Sequence, residues 1–118
     1  HEGPQRISKM PSSVALQPGM VISNEPGYYK EGAYGIRIEN LICVGSLNKD
    51  AGTERPMMNF ETLTYAPIDK RLVDLEMLNE NEVSWLNSYH AQVFEKISPQ
   101  LEGSDLAWLK EATSGLMV

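Results

Sequence analysis

Two glutamates carry the strongest chemical signal in the sequence. Glu25 sits in Ser23-Asn24-Glu25-Pro26-Gly27 and Glu39 in Ile36-Arg37-Ile38-Glu39-Asn40, and Gly32 lies midway between them. A hairpin folded symmetrically about that glycine sets the two carboxylates opposite each other on one face. Directly opposed residues have Cβ atoms ~4.5–5.5 Å apart, and like charges there destabilise the pairing. At about 4 Å and an effective dielectric of about 20, two unit charges repel by ~4 kcal/mol, enough to raise one pKa or to call for a cation. Carboxylate oxygens suit hard divalent ions such as Mn²⁺ or Mg²⁺, and paired ions ~3.5–4 Å apart activate water for hydrolysis. Two glutamates alone are too few ligands for such a pair. A plainer reading of the same spacing has the carboxylates splayed into solvent, with Arg37, two residues from Glu39 on the same face, neutralising them.

The elements that would position these residues are strands. Pro18-Gly19 suits a type II turn that launches Met20-Val21-Ile22. From Tyr34 the chain alternates, with Ile36, Ile38, Ile42 and Val44 on one face and Arg37, Glu39, Leu41 and Cys43 on the other. Between these strands Pro26 to Ala33 is rich enough in turn residues to reverse direction, and Pro26 ends regular pairing directly after Glu25. Gly45 to Met58 reads as a surface loop, and Asn59 to Ala66 as a third antiparallel strand. Character shifts to helix near residue 70. Asn79 and Glu82 form a capping-box pattern ahead of a stripe of Val83, Leu86, Val93 and Ile97 that stops at Ser98-Pro99. A second helix is expected with Ser104 as cap, Asp105 in its first turn, Leu106, Leu109 and Ala112 along one face, and an end before Gly115. The expected organisation is therefore α+β, with residues 1–69 and 70–118 as its two parts.

The 118 residues suffice for one modest domain, and 42% hydrophobic with 22% charged residues is ordinary for a packed one. The net charge of −6 has the wrong sign for a phosphate backbone or an anionic membrane, which argues against nucleic acid and lipid partners. No apolar run approaches the ~18–20 residues that span a bilayer. The lone Cys43 has no internal disulfide partner, which makes the cytosol the default compartment. The first residue is His1, not Met, so either a natural start has been removed or the chain is a piece of something longer. His1-Glu2 opens like a His-Glu-x-x-His zinc motif, but Gln5 stands where the second histidine belongs. His90 lies one position off the helical stripe and reads as a packed or hydrogen-bonded side chain, not a ligand.

His1-Glu2-Gly3-Pro4-Gln5-Arg6-Ile7, Pro18 to Tyr29, and Tyr34-Gly35-Ile36-Arg37-Ile38-Glu39-Asn40 together resemble the C-terminal part of Xaa-Pro aminopeptidase (aminopeptidase P). The resemblance continues through Leu63 to Asp69 and into Trp85 to His90. It implies the C-terminal portion of a pita-bread (creatinase/aminopeptidase) fold followed by a helical extension. It also implies two divalent ions, usually Mn²⁺, and hydrolysis of peptides with proline at the second position. By motif, Glu25 matches a metal ligand that also accepts the proton of the nucleophilic water, and Glu39 matches the ligand bridging both ions. His1 matches a histidine that contacts substrate near the proline, and Arg37 an arginine that supports the site. The family's two aspartates and metal-binding histidine lie upstream of His1, so the chain alone is expected to be inactive. Asp50, Asp69 and Asp74 fall outside the matching motifs. A homodimer through the extension is in keeping with the family, and Trp85, Tyr89, Phe94, Trp108 and Leu109 give the tail apolar content that either packs within the chain or leaves a surplus for such a contact. A prolidase-like or creatinase-like relative shares the two-glutamate pattern, and a non-catalytic pita-bread module binding peptides or proteins is the reading from another class.

Overall fold

The computed structural model describes residues 3–48, 52 and 54–117. The backbone forms two compact units, His1–Thr64 and Tyr65–Val118.

The first unit is antiparallel. Gln17-Pro18-Gly19-Met20 closes a turn, with the Met20 N–H donating to the Gln17 carbonyl at 3.1 Å and Gly19 at φ +87°, the conformation a type II turn requires at that position. Strand β1 (Val21–Asn24) follows, then β2 (Gly27–Lys30), a turn in which Gly32 takes φ +70°, β3 (Tyr34–Arg37), β4 (Asn40–Val44) and β5 (Phe60–Thr62). β1, β4 and β5 form one sheet, with β4 in the middle, and β2 and β3 form a two-stranded ladder.

The single alternating strand expected from Tyr34 to Val44 is thus two strands, interrupted at Ile38 and Glu39. Proline chemistry explains the break. Pro26 has no N–H to give across the ladder, and the Ile38 N–H to Pro26 carbonyl bond, 3.3 Å long, crosses there. The register nevertheless runs through unchanged: Asn24 faces Asn40 on one side of the break and Gly27 faces Arg37 on the other. Ile22, Ile42 and Val44 form the buried face of the larger sheet. β5 is shorter than the expected strand because the ladder beside Leu41 is finished differently. The Leu63 N–H donates to the Leu41 carbonyl at 2.9 Å, and the Thr64 hydroxyl accepts the Leu41 N–H at 2.8 Å.

The second unit is helical. Asn79 caps α1 (Glu80–Ile97) in a full capping box, its Oδ1 accepting the Glu82 N–H at 3.0 Å while Glu82 Oε2 accepts the Asn79 N–H at 2.9 Å. Leu86, Tyr89 and Val93 pack with Leu109 of α2 (Gly103–Ala112) into a core to which Tyr65, Ile68, Val73 and Phe94 add their half-buried faces. The cap of α2 differs from expectation. The helix begins at Gly103, so Ser104 lies inside its first turn and Glu102 holds the cap position without a side-chain bond. Short 3₁₀ turns at Lys70–Leu72 and Leu75–Met77, which the periodicity does not signal, are each opened by an aspartate accepting a backbone N–H, Asp69 from Arg71 and Asp74 from Glu76.

His90 is fully buried in this unit. Its Nε2 accepts the Ile68 N–H at 3.0 Å, which requires the neutral ring, and burial, then the Lys70 charge, hold its pKa below 6.5. Lys70 itself donates to the Glu111 and Ser114 carbonyls at 2.9 Å each, tying down the C-terminal end of α2.

Candidate metal and active site

The break in the hairpin is where the chemistry gathers. Glu25 and Glu39 both fall in the gap between the two ladders, and because the register on either side is the same, they stand opposite each other. Both carboxylates are solvent-accessible. The Glu25 carboxyl is held below the ordinary range, first by the Ser23 hydroxyl and next by its hydrogen bond with Glu39. Ser23, in β1, precedes Glu25 by two residues, and the alternation of side chains carried on past the strand end puts the two on the same face.

Glu39 has a different support. Arg37 Nε lies 3.3 Å from Glu39 Oε2, and both side chains are about half exposed. The Arg37 pKa is raised by a hydrogen bond to Tyr29 and then by the charge of Glu39. Tyr29 lies flat across two glycines. A Cβ added at Gly27 would fall 2.7 Å from the Tyr29 hydroxyl, and one at Gly35 would fall 2.8 Å from its ring. Gly27 and Gly35 therefore clear the bed in which the phenol reaches Arg37. Tyr28 and Tyr34 do something else: their rings pair at 6.2 Å on the opposite face of the β2–β3 ladder and remain exposed.

A shallow cavity of about 390 Å³ opens beside Glu25, bounded by Ile7, Lys9, Ser23 and Pro26 among others. Of the other residues considered from sequence, His1 and Asp50 lie outside the described residues. Asp69 is held by Arg71 in a paired contact, Nη2 to Oδ2 2.6 Å, which brings its pKa to about 2. Asp74 caps a turn, Gln5 donates to the Val21 carbonyl at 3.3 Å, and Cys43 is a half-buried strand residue. Among the described residues no group of three or more His, Cys, Asp or Glu side chains converges to hold an ion. The donor set present is one facing pair of carboxylates, whose oxygen chemistry fits hard divalent ions and supplies part of a coordination shell.

Residues 1–46 match the model of metallopeptidase family M24, and residues 56–116 match the model of the C-terminal region of peptidase M24. The chain belongs to metallopeptidase family M24. Among its M24 relatives, Aminopeptidase P2 of Arabidopsis thaliana is 50% identical over 98% of this chain and 17% of its own length. A probable Xaa-Pro aminopeptidase P of Tuber melanosporum is 47% identical over 97% of this chain and 19% of its own. Among solved structures, X-prolyl aminopeptidase of Caenorhabditis elegans, described as a cytosolic enzyme with a di-nuclear active site, superposes with a TM-score of 0.84 at 35% identity, over 98% of this chain and 19% of that one. The fold is accordingly α+β and corresponds to the C-terminal part of the pita-bread architecture. This M24 chain spans under a fifth of the length of these relatives.

Sequence reasoning placed Glu25, Glu39 and Arg37 where the structure has them, and passed over Ser23, the Tyr29–Arg37 contact and the glycine bed. The signal for the bed was available: Gly27 and Tyr29 alternate on one strand opposite Arg37 and Gly35 on the other.

Proposed function

We propose that this chain is the C-terminal part of a dinuclear-metal Xaa-Pro aminopeptidase, which removes the N-terminal residue from peptides with proline in second position. The observation that carries the reading is the unbroken register that sets Glu25 against Glu39 in a family M24 chain. Residues 1–69 would contribute the end of the catalytic domain, and residues 70–118 its extension.

In that enzyme Glu25 and Glu39 would hold two divalent ions, Mn²⁺ being the metal the resemblance favours. When bound, the ions supply the positive charge that acidifies an attacking water near neutral pH. Glu25, a carboxylate at the mouth of the cavity, would take that water's proton. Glu39 would be kept in place by Arg37, and Arg37 by Tyr29. His1 would orient the peptide near its proline. The chain alone, with two carboxylates, is inactive in this account. The C. elegans neighbour supports a cytoplasmic location. Exposed Trp85, Trp108, Leu72 and Met77 in the helical unit support a homodimer through the extension.

The test is Mn²⁺-dependent release of the first residue from an Xaa-Pro-Xaa peptide by the complete protein, beside a Glu25→Gln variant. Turnover that the variant loses supports the reading. A folded, metal-loaded protein that leaves the peptide intact overturns it in favour of a non-catalytic peptide-binding module.

A further inference from the structure

We propose that Ser23 is a positioning residue that fixes the Glu25 carboxylate toward Glu39; the assignment rests on the metallopeptidase reading above and adds to it a group that does not itself hold metal. A glutamate has three side-chain torsions to immobilise before both its oxygens are useful, and apart from Ser23 Glu25 has, among the described residues, only its hydrogen bond with Glu39 to hold it. It lies at the interruption of both ladders and is followed by a proline that lacks an N–H. Ser23 has what Glu25 lacks. It sits inside β1, paired with Leu41, and is only 7% exposed. Its neighbours are fixed on both sides: Ile22 is fully buried, and Leu41 has its N–H accepted by the Thr64 hydroxyl at 2.8 Å and its carbonyl taken by the Leu63 N–H at 2.9 Å.

A buried hydroxyl on a rigid strand, two residues from an exposed carboxylate on the same face, donates to one of its oxygens and leaves the other to face across the hairpin. The Ser23 hydroxyl and the Glu25 carboxylate are hydrogen-bonded side chain to side chain. Glu39 is steadied by a half-exposed arginine that salt can screen; Glu25 is steadied by a neutral donor that salt does not reach.

The experiment is a Mn²⁺ titration of the complete protein followed by calorimetry and by the electron paramagnetic resonance of free Mn²⁺, with peptide turnover measured in parallel, on Ser23→Ala and Ser23→Thr. Loss of a group that orients a metal ligand typically weakens binding by about 10–100-fold, and Ser23→Ala is expected to lose metal affinity in that range. Its kcat at saturating metal should fall while KM for the peptide changes less, and Ser23→Thr, which keeps the hydroxyl, should recover most of both. Wild-type affinity and kcat in Ser23→Ala would overturn the assignment, as would equal losses in both variants, which would make the effect one of packing. An unsubstituted protein that takes up no Mn²⁺ overturns the metallopeptidase reading and this assignment with it, whereas normal uptake with an unaffected Ser23→Ala overturns this assignment alone.

Discussion

The two units bury polar groups to opposite ends. In the helical unit, 65–118, the buried polar side chains secure packing: His90 accepts a backbone N–H from Ile68, Tyr89 bonds the Ala66 backbone, and the Thr113 hydroxyl returns to the Leu109 carbonyl. In the stranded unit, 1–64, the buried Ser23 reaches toward an exposed carboxylate, and the groups with chemical potential lie where strand pairing is interrupted. The helical unit buries Leu86, Tyr89, Val93 and Leu109 in its own core, whereas the sheet buries Ile22, Ile42 and Val44. His90 Nδ1 on α1 is buried without a hydrogen-bond partner among the described residues, while the exposed carboxylates lie where strand pairing stops. A proline that ends one ladder without shifting the register is an economical way to make such a place.

This contrast can be broken from either side. The largest effect belongs to Glu25→Gln. It should lower Xaa-Pro turnover of the complete protein by about 10²–10⁴-fold, the usual worth of a general base, while circular dichroism and melting of the helices stay as they were. Leu109→Ala is the mirror experiment. Leu109 is 1% exposed, and truncating such a side chain costs about 2–5 kcal/mol through lost burial and a residual cavity. Denaturant unfolding should register that loss in the helical unit, with strand amides of residues 21–44 retaining their cross-strand nuclear Overhauser contacts.

His90 sharpens the comparison by pH. Its folded pKa lies below 6.5, so the fold favours the neutral ring. The stability it contributes is full above that ordinary value and is lost as pH falls through the lowered one, because a protonated ring no longer accepts the Ile68 N–H. Melting temperature followed from about pH 7.5 to about pH 5 should therefore drop more steeply in the native chain than in His90→Gln. The smallest effect is expected from Asn79→Ala, which removes the capping box of α1. Loss of such a cap typically costs about 1 kcal/mol, measurable as a shift in the denaturant midpoint with peptide turnover unchanged.

Much of this was legible in the residues. The midpoint at Gly32 foretold the register, Pro26 foretold the end of pairing, and the Asn79–Glu82 spacing foretold the cap, since each depends on local covalent geometry. The α2 boundary was misread because Ser104 is a good cap by type, while the chain enters the helix through Gly103 at φ +57° one residue earlier. The 3₁₀ turns at 70–72 and 75–77 carry no hydrophobic period, and the Tyr29–Arg37 contact is set by which face of a ladder a ring lies on. Such features depend on three-dimensional proximity more than on spacing. The remaining ligands of a two-metal site were not legible because the two aspartates and the histidine that the resemblance would supply are expected upstream of His1, and no third donor joins the glutamate pair among the described residues.

The central claim is that Glu25 and Glu39 face each other across an uninterrupted register, and disulfide trapping tests it most directly. Opposed strand residues have Cβ atoms near the separation a disulfide accepts, about 3.5–4.5 Å. In a Cys43→Ser background, Glu25→Cys/Glu39→Cys should oxidise readily to an intramolecular bond, read as loss of both free thiols in the monomeric chain, while Glu25→Cys/Ile38→Cys, with its thiols on opposite faces, should stay reduced. A reduced 25/39 pair beside a linked 25/38 pair would mean the register slips by one residue at Pro26, and the two carboxylates would then share no site.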